Sequence, residues 1–209
     1  MWMLNILKAG GPLMIVIILL SIAGLSVILE RGYYFYKNEK HDGELLINHL
    51  EKFIKNGEKE KAINACDHFK NTSSKVMKTI LIEYQAGNMN CCTYDYLEEK
   101  ARECALRELP KLEKNMWMLG IAANVTPLAG LLGTVTGMIG AFTAMSVHGA
   151  GDPTVLASGI SQALITTASG LTVAIPALIF YNYYQKKIEK AMLDMEKNVV
   201  EFINILRKM

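Results

Sequence analysis

Charge is absent from two long parts of this 209-residue chain. The stretch from Pro12 to Leu29 has no charged residue, and between Asn115 and Gln185 the only formally charged residue is Asp152. A helix of about 20 apolar residues is long enough to cross the hydrocarbon core of a bilayer. The first stretch has room for one crossing and the second for two, so a single soluble core is excluded.

Motifs for soluble chemistry are also missing. Four cysteines lie in the polar middle section, at Cys66, Cys91, Cys92 and Cys104, without the CxxC spacing of a zinc or redox site. The glycine-rich stretch GLLGTVTG (130–137) lacks the Lys-Ser/Thr pair of a phosphate-binding loop. No nucleophile stands at a recognisable spacing from a base. We therefore expect a protein that is not an enzyme and that holds neither a metal nor a cofactor.

The pattern that is present predicts an all-α integral membrane protein with three transmembrane helices and long helices that extend into a cytoplasmic helical domain. The turn-rich stretch HGAGDPT (148–154) separates the second crossing from the third. The middle section has apolar residues at helical spacing. The expected segments are an N-terminal periplasmic segment (1–11), transmembrane helix 1 (12–30), a cytoplasmic helical domain (31–116), transmembrane helix 2 (117–146), a periplasmic hairpin (147–154), transmembrane helix 3 (155–184) and a cytoplasmic amphipathic C-terminal helix (185–209).

Lysine and arginine are unevenly distributed along the chain. Fifteen lie in residues 31–114 and six in 186–209, whereas the N-terminus has only Lys8 and residues 146–154 have none. The positive-inside rule therefore predicts that the middle section and the C-terminus are cytoplasmic, and that the N-terminus and the hairpin are periplasmic. Acidic residues nearly balance the basic ones in the middle section, which argues against nucleic-acid binding.

The cytoplasmic part carries three specific expectations. Ser73 or Ser74 is the expected N-cap of a helix, and Pro110 should kink or interrupt the helix that leads to the second crossing. Six apolar residues of the tail recur with a period of 3.5 residues. They indicate a helix that packs either on its own domain or against neighbouring copies of the chain. The six are Ile188, Met192, Met195, Val199, Phe202 and Leu206.

Small residues form a strip along each of the last two crossings. Glycines recur along the second crossing at steps of three, four and three residues, and Thr134 lies on the same strip. Such strips allow helix backbones to approach closely in lipid. The glycine strip consists of Gly130, Gly133, Gly137 and Gly140, and the strip on the third crossing consists of Ala163, Thr167, Gly170, Ala174 and Ala177.

Polar residues crowd the segment GISQALITTASGL (159–171), at about the depth where polarity is most costly in a membrane. On a helix, Gln162, Thr166 and Ser169 fall within an arc of ~60°, and Thr167 lies ~140° from Gln162. In one interpretation the threonines bond to carbonyls of their own helix and the glycines only pack. In the other, the polar arc faces a cavity formed by several copies. Gln162 favours the second interpretation, because its amide cannot be satisfied within one helix.

The stretches GLLGTVTGMIGAF (130–142) and GISQALITTASGLTVAIPALIFYNYY (159–184) resemble the paired signature of the ExbB/TolQ branch of the MotA/TolQ/ExbB proton channel family. The resemblance implies a homo-oligomer in the bacterial inner membrane, a pentamer in this family. Helices of an ExbD- or TolR-like single-span partner would occupy its central pore. Proton flow would then drive the transfer of force to a TonB- or TolA-like protein.

The resemblance also assigns individual residues. It implies that Thr134 and Thr167 are the pore threonines of the second and third crossings. Gln162 stands where the ExbB and TolQ prototypes have a glutamate, and an amide does not titrate. The proton carrier is therefore expected on the partner, as an intramembrane aspartate. The expected pore-lining residues are Thr134, Thr167, Gln162 and Thr166, and the expected helix-packing seam is Gly130, Gly133, Gly137, Gly140, Gly170 and Ala174.

Other functions remain open on the sequence alone. The chain could be an ion channel or transporter that needs no partner, or a scaffold whose glycine strips only hold an assembly together. A sodium-driven variant of the same motor is a further alternative, because hydroxyl and carbonyl oxygens are acceptable sodium ligands. The output is also open between outer-membrane transport and envelope maintenance, and the resemblance leans towards the ExbB-like side.

Overall fold

The structure, a computed structural model, describes residues 11–39, 43–69, 71–85, 94–148 and 153–208. All regular structure in these residues is helical, which confirms the all-α prediction. The predicted N-terminal segment apart from Gly11, the centre of the hairpin, Cys91 and Cys92 lie outside the described residues. The helices are α1 (Leu13–Asn38), α2 (Gly43–Lys55), α3 (Lys59–His68), α4 (Thr72–Gln85), α5 (Tyr94–Leu112), α6 (Met116–His148) and α7 (Pro153–Arg207).

Three of these helices, α1, α6 and α7, are long and apolar enough to cross a membrane. The prediction of three transmembrane helices is thereby confirmed. Helix α7 has 55 residues, which correspond to about 80 Å of helix at ~1.5 Å per residue. It contains Pro176 and continues past the third crossing without a break. One helix therefore supplies both the third crossing and the C-terminal tail.

The chain divides into two compact units. The first consists of Met1–Glu30 and Asn115–Tyr183, and it contains the apolar stretches that the sequence assigns to the membrane. The second consists of Arg31–Lys114 and Tyr184–Met209. Every lysine and arginine of the chain except Lys8 belongs to the second unit. The division in space therefore follows the division in charge.

The core of the second unit combines the short helices α2 to α5 with the last part of α7. Leu50, Met77, Leu97 and Phe202 are almost completely buried there, and each such side chain contributes roughly 1.5–3 kcal/mol through burial. The apolar residues of the tail face this core, so the structure supports the interpretation in which the tail packs on its own domain. Those that contribute are Met192, Met195, Val199, Phe202 and Leu206.

The N-cap of α4 is Asn71, so the prediction of Ser73 or Ser74 was wrong. The Asn71 Oδ1 atom accepts a hydrogen bond from the N–H of Ser74 at 2.9 Å. Ser74 lies inside the first turn, and its hydroxyl donates to the carbonyl of Asn71 at 2.8 Å. Asparagine is as good an N-cap as serine, and Asn71 is the residue that directly precedes the helix.

A second acceptor at the start of α4 comes from the residue after α1. Glu39 Oε1 accepts hydrogen bonds from the N–H of Thr72 at 3.1 Å and from the Thr72 hydroxyl at 2.6 Å. Burial raises the pKa of Glu39 above its usual value, although both hydrogen bonds from Thr72 oppose the rise. Glu39 thus links the end of α1 to α4 by satisfying donors that a helix N-terminus leaves open.

Helix α5 runs through Pro110 and ends at Leu112, so the interruption lies a few residues later than predicted. Asn115 has a φ of 61°, in the left-handed region, between the end of α5 and the start of α6. Proline is locked near φ −65° and cannot make such a turn, whereas asparagine tolerates it. The Asn115 Nδ2 atom also donates to Glu30 Oε2 at 2.6 Å.

The C-terminus of α5 is capped by Arg31. Its Nη1 atom donates to the carbonyls of Lys111 and Leu112 at 3.1 and 3.4 Å. Arg31 is buried, and its guanidinium lies 4.8 Å from the ring centroid of Tyr34. A cation at this end of a helix is stabilised by the free carbonyls and by the helix dipole.

Candidate functional site

Helices α6 and α7 pack with their backbones in close contact. A Cβ atom built on Gly130 would stand 3.1 Å from the Cα atom of Thr167, and one on Gly170 would stand 2.8 Å from the carbonyl oxygen of Thr126. A Cβ atom on Gly137 would stand 3.2 Å from the Cβ atom of Ala163. Because two of these neighbours are backbone atoms, they cannot move aside cheaply. The close approach therefore requires glycine at positions 130 and 170.

The same contact continues towards the hairpin. A Cβ atom on Gly133 would collide with the Thr166 side chain, whose Cβ atom would be 2.9 Å away. A Cβ atom on Gly159 would collide with the Cβ atom of Ala141. Among the other residues of the predicted seam, Ala174 is buried, whereas a Cβ atom on Gly140 would meet no described atom within 4 Å. Gly140 therefore lies off the α6–α7 contact.

The threonine hydroxyls of this region are engaged in two different ways. Thr167 donates across the helix pair to the carbonyl of Gly130 at 2.9 Å. Thr134 and Thr166 donate within their own helices, to the carbonyls of Leu131 at 2.6 Å and Gln162 at 2.9 Å. The cross-helix bond of Thr167 is possible because Gly130 has no side chain to keep the backbones apart.

Helix α1 packs along one side of the α6–α7 pair. Met14 and Ile17 of α1 form a buried cluster with Ala129 of α6, and Ile165 and Val173 of α7 pack against it. Nearer the other end of α1, a Cβ atom on Gly24 would stand 3.2 Å from the Cβ atom of Ala122. One side of the pair is therefore covered by the first helix of the same chain.

Thr134 and Thr167 lie towards the opposite side of the pair. On α6, Thr134 is rotated by ~140° from Ala129, and on α7, Thr167 is rotated by ~160° from Ile165. Both threonines are partly exposed. The structure thus places the two residues that the resemblance assigned to the pore on a face that α1 does not cover, and Thr167 bonds to Gly130, four residues before Thr134.

The other two residues of the expected pore lining are placed differently. Thr166 is 1 % exposed and lies under Gly133. Gln162 is half-buried, and its Nε2 atom would be 2.8 Å from a Cβ atom on Gly11, which has a φ of 70°. Gly11 directly precedes the first turn of α1, so within one chain Gln162 lies on the side of α1. It does not share a face with Thr134 and Thr167.

Gln162 also lies far along the helices from the contact between Glu30 and Asn115. From Glu30 to Gly11 along α1 is about 28 Å, and from Asn115 to Gly137 along α6 is about 33 Å. Glu30 and Asn115, from which the two distances start, are hydrogen-bonded to each other. At the far end, Gly137 packs against Ala163, the neighbour of Gln162. A hydrocarbon core is about 30 Å thick. Along the helices, the amide is therefore about one hydrocarbon-core thickness away from the Glu30–Asn115 contact.

One residue of the contact, Gly159, was missed by the sequence analysis. The signal was available, because Gly159 precedes Ala163 by four residues and so extends the small-residue strip of the third crossing by one turn. Thr126 was also missed. It is fully buried and donates to the carbonyl of Ala122 at 2.5 Å.

The titratable groups of the described residues do not assemble a metal site. No group of three His, Cys, Asp or Glu side chains within that part of the chain could hold an ion. Cys66 is buried in the core of the second unit, and burial, with the nearby charge of Asp67, raises the pKa of its thiol to about 12. At neutral pH this thiol is protonated, and it is a poor ligand and a poor nucleophile.

Comparison with known proteins gives a consistent result. A profile of the MotA/TolQ/ExbB proton channel family matches residues 48–197. The chain is 26 % identical over 206 residues to a biopolymer transport protein ExbB homologue of Methanothermobacter thermautotrophicus, covering 99 % of this chain and 68 % of that protein. It is 36 % identical over 92 residues to the biopolymer transport protein ExbB of Xanthomonas campestris pv. campestris, covering 44 % and 36 %. It is 38 % identical over 102 residues to the Tol-Pal system protein TolQ of Haemophilus influenzae, covering 49 % and 45 %. The chain thus spans between 36 % and 68 % of the length of these relatives.

Proposed function

Because this chain belongs to the MotA/TolQ/ExbB proton channel family, we propose that copies of it form the stator-like, pore-forming ring of a complex driven by the proton motive force. The complex energises a TonB- or Tol-type system for outer-membrane transport or envelope maintenance. The ring is a homo-oligomer, a pentamer by family resemblance, in the bacterial inner membrane. The helices of an ExbD- or TolR-like single-span protein occupy its pore.

The observation that carries this proposal is the position of Thr134 and Thr167. Both hydroxyls lie on the face of α6 and α7 that α1 leaves uncovered, and both already donate their hydrogen to a backbone carbonyl. A hydroxyl whose hydrogen is engaged offers its oxygen lone pairs to a visitor. Such a pair of acceptors suits a protonated carboxylic acid or a water molecule on a partner helix.

The charge pattern supports an arrangement in which the partner, and not this subunit, carries the group that takes the proton. From Pro12 to Leu29 and from Asn115 to Tyr183 the sequence has no Asp, Glu, Lys or Arg except Asp152 in the hairpin. The carboxyl group that takes the proton is therefore supplied by the single-span partner. In this proposal Arg31–Lys114 and the C-terminal end of α7 lie in the cytoplasm, and the hairpin between α6 and α7 is periplasmic.

The threonine pair gives a direct test in cells that depend on this protein. In the variant T134V/T167V the side-chain volume is kept and both hydroxyls are lost. We expect energised outer-membrane uptake, or envelope integrity, to be lost, while the oligomer still assembles and co-purifies with a single-span protein that carries an intramembrane aspartate. The variant T134S/T167S keeps both hydroxyls and should retain function.

The matched control is T136V/T172V. Thr136 and Thr172 are exposed, one on each helix, and their hydroxyls bond to carbonyls of their own helices at 3.0 and 2.8 Å. They are rotated by about 140–160° from Thr134 and Thr167, so their loss should leave function unchanged. Full activity of T134V/T167V would refute the role of the threonine pair. Absence of any such single-span protein from the purified complex would refute the proposed ring and partner arrangement.

A further inference from the structure

An exposed apolar stripe runs along the last part of α7, on the side opposite the core of the second unit. Leu193 and Val200 are 59 % and 50 % exposed, and seven residues separate them. They are therefore only ~20° apart around the helix and ~10 Å apart along it. Lys186 precedes them by the same interval on the same stripe. Two large aliphatic side chains in line on an otherwise charged helix form a small apolar surface.

The two edges of this stripe carry opposite charge. Glu189 and Glu196 flank Leu193 on one edge at ~40–60°, and Lys190 and Lys197 flank it on the other edge at similar angles. All four side chains are exposed. The spacing of seven residues is repeated in both pairs. Asp194 and Glu201 lie four residues after Lys190 and Lys197, ~40° further from the stripe, so the lysines are the charges nearest the stripe on that edge.

Opposite edges of opposite charge fit a particular kind of neighbour. When two helices lie side by side and parallel, the acidic edge of one meets the basic edge of the other. In an antiparallel pair the two acidic edges would face each other, as would the two basic edges, and the like charges would repel. Copies of a membrane protein inserted with the same topology present their helices in parallel. A ring built by one repeated head-to-tail contact uses both edges of every copy.

We propose that the stripe of Lys186, Leu193 and Val200 is a docking surface for the same helix of a second copy of this chain. The acidic edge of one copy lies against the basic edge of the next, and the aliphatic side chains are covered between them. This inference rests on the proposed function for the existence of an oligomer, and it adds the surface that joins neighbouring copies outside the membrane.

The test uses the full chain in its native membrane, with a photo-crosslinking residue as the probe. In the variant Leu193→p-benzoylphenylalanine, illumination should give an adduct of two copies of this chain. The matched control places the same residue at Leu106 of α5, which is also 59 % exposed and should give no such adduct.

Charge reversal then tests the two edges. In the crosslinker variant at position 193, E189K/E196K should reduce the yield of the chain-to-chain adduct by roughly tenfold, because two attractive contacts become repulsive. The further exchange to E189K/K190E/E196K/K197E restores opposite charge across the contact and should restore the yield. The control E98K/E99K reverses two exposed acids of α5 and should leave the yield unchanged.

Three results would overturn the proposal. They are the absence of a chain-to-chain adduct at position 193, an adduct with lipid or with a different protein alone, and a yield that E189K/E196K leaves unchanged. None of these depends on ion flow or on the single-span partner. A failed docking surface can therefore be told apart from a failure of the proposed function, which the threonine variants and co-purification report separately.

Discussion

The contact between Gly159 and Ala141 allows the packing of α6 on α7 to be tested with a single methyl group. A Cβ atom added at Gly159 collides with the Cβ atom of Ala141, and it would also stand 3.2 Å from the Cα atom of Ala141 and 3.3 Å from the carbonyl of Gly137. Overpacking of this kind costs about 1–3 kcal/mol. Alanine is also a better helix former than glycine by ~1 kcal/mol, which offsets part of the cost. We expect G159A to lower the free energy of unfolding by up to about 2 kcal/mol.

A reciprocal exchange separates the collision from the helix propensity. The double variant G159A/A141G moves the methyl group from α6 to α7, so the number of alanines and glycines stays the same. It should recover most of the stability lost in G159A, because the two remaining neighbours are at 3.2 and 3.3 Å and need to move by only a few tenths of an ångström. The matched control is G140A, which adds a methyl group that meets no described atom within 4 Å. It should be neutral or stabilising by up to ~1 kcal/mol.

The assay is thermal unfolding of the purified protein in one detergent, together with the size of the oligomer. We expect G140A to be at least as stable as wild type and the double variant to be close to wild type. G159A should be clearly less stable than wild type. Two results would refute this order. The first is that G159A is as stable as G140A, and the second is that adding A141G does not raise the stability of G159A. Either result would mean that the close contact at these positions does not exist.

Two further predictions concern the second unit and its junction with α6. Because burial raises the pKa of Glu39 while Thr72 bonds to it, the charged form is penalised in the folded state, and stability should rise as the pH falls through that raised pKa. E39Q, which can still accept both bonds from Thr72, should be at least as stable as wild type at pH 7 and lose this advantage on acidification. E39A should be less stable than wild type by about 1–2 kcal/mol. Equal pH profiles for wild type and E39Q in thermal unfolding would contradict a raised pKa of Glu39. For Asn115, with a φ of 61°, N115V should be less stable than N115G by about 1–2 kcal/mol. N115G should lose only the bond to Glu30, and equal melting temperatures for the two variants would count against a left-handed residue there.

The three crossings could be predicted because charge is excluded from the bilayer core, and long gaps between charged residues are directly visible in a sequence. The close contact of α6 with α7 could be predicted in part, since glycines at steps of three and four residues mark a strip along one helix. The residues that each strip contacts on the neighbouring helix were harder to predict. Gly140 continues the steps but lies off the contact, because the contact passes from Gly137 to Ala141 and Gly140 is rotated by ~100° from Ala141 around α6.

The polar residues of α7 show why the side of a helix that a residue occupies was harder to predict than the existence of the helix. The sequence places Gln162, Thr166 and Thr167 within six residues, and a helical wheel assigns them angles but no neighbours. The structure separates them by contacts that are distant in sequence. Thr167 bonds to Gly130 across 37 residues, and Gln162 meets Gly11 at the start of α1. Such long-range contacts decide which side of a helix is covered, and no local pattern encodes them.

The hydrogen bonds of the proposed pore threonines decide whether their hydroxyls act as donors or as acceptors towards another group. Thr134 and Thr167 both donate to backbone carbonyls, so towards a visiting group they act as acceptors. An acceptor favours the protonated form of a carboxylic acid, which can donate, over the carboxylate, which cannot. In the proposed complex, a partner aspartate that reaches this face would therefore be favoured in its protonated, neutral form, which crosses apolar surroundings at lower cost. In the proposed complex, the subunit thus contributes a fixed set of acceptors, and the change in charge that couples proton flow to movement would take place on its partner.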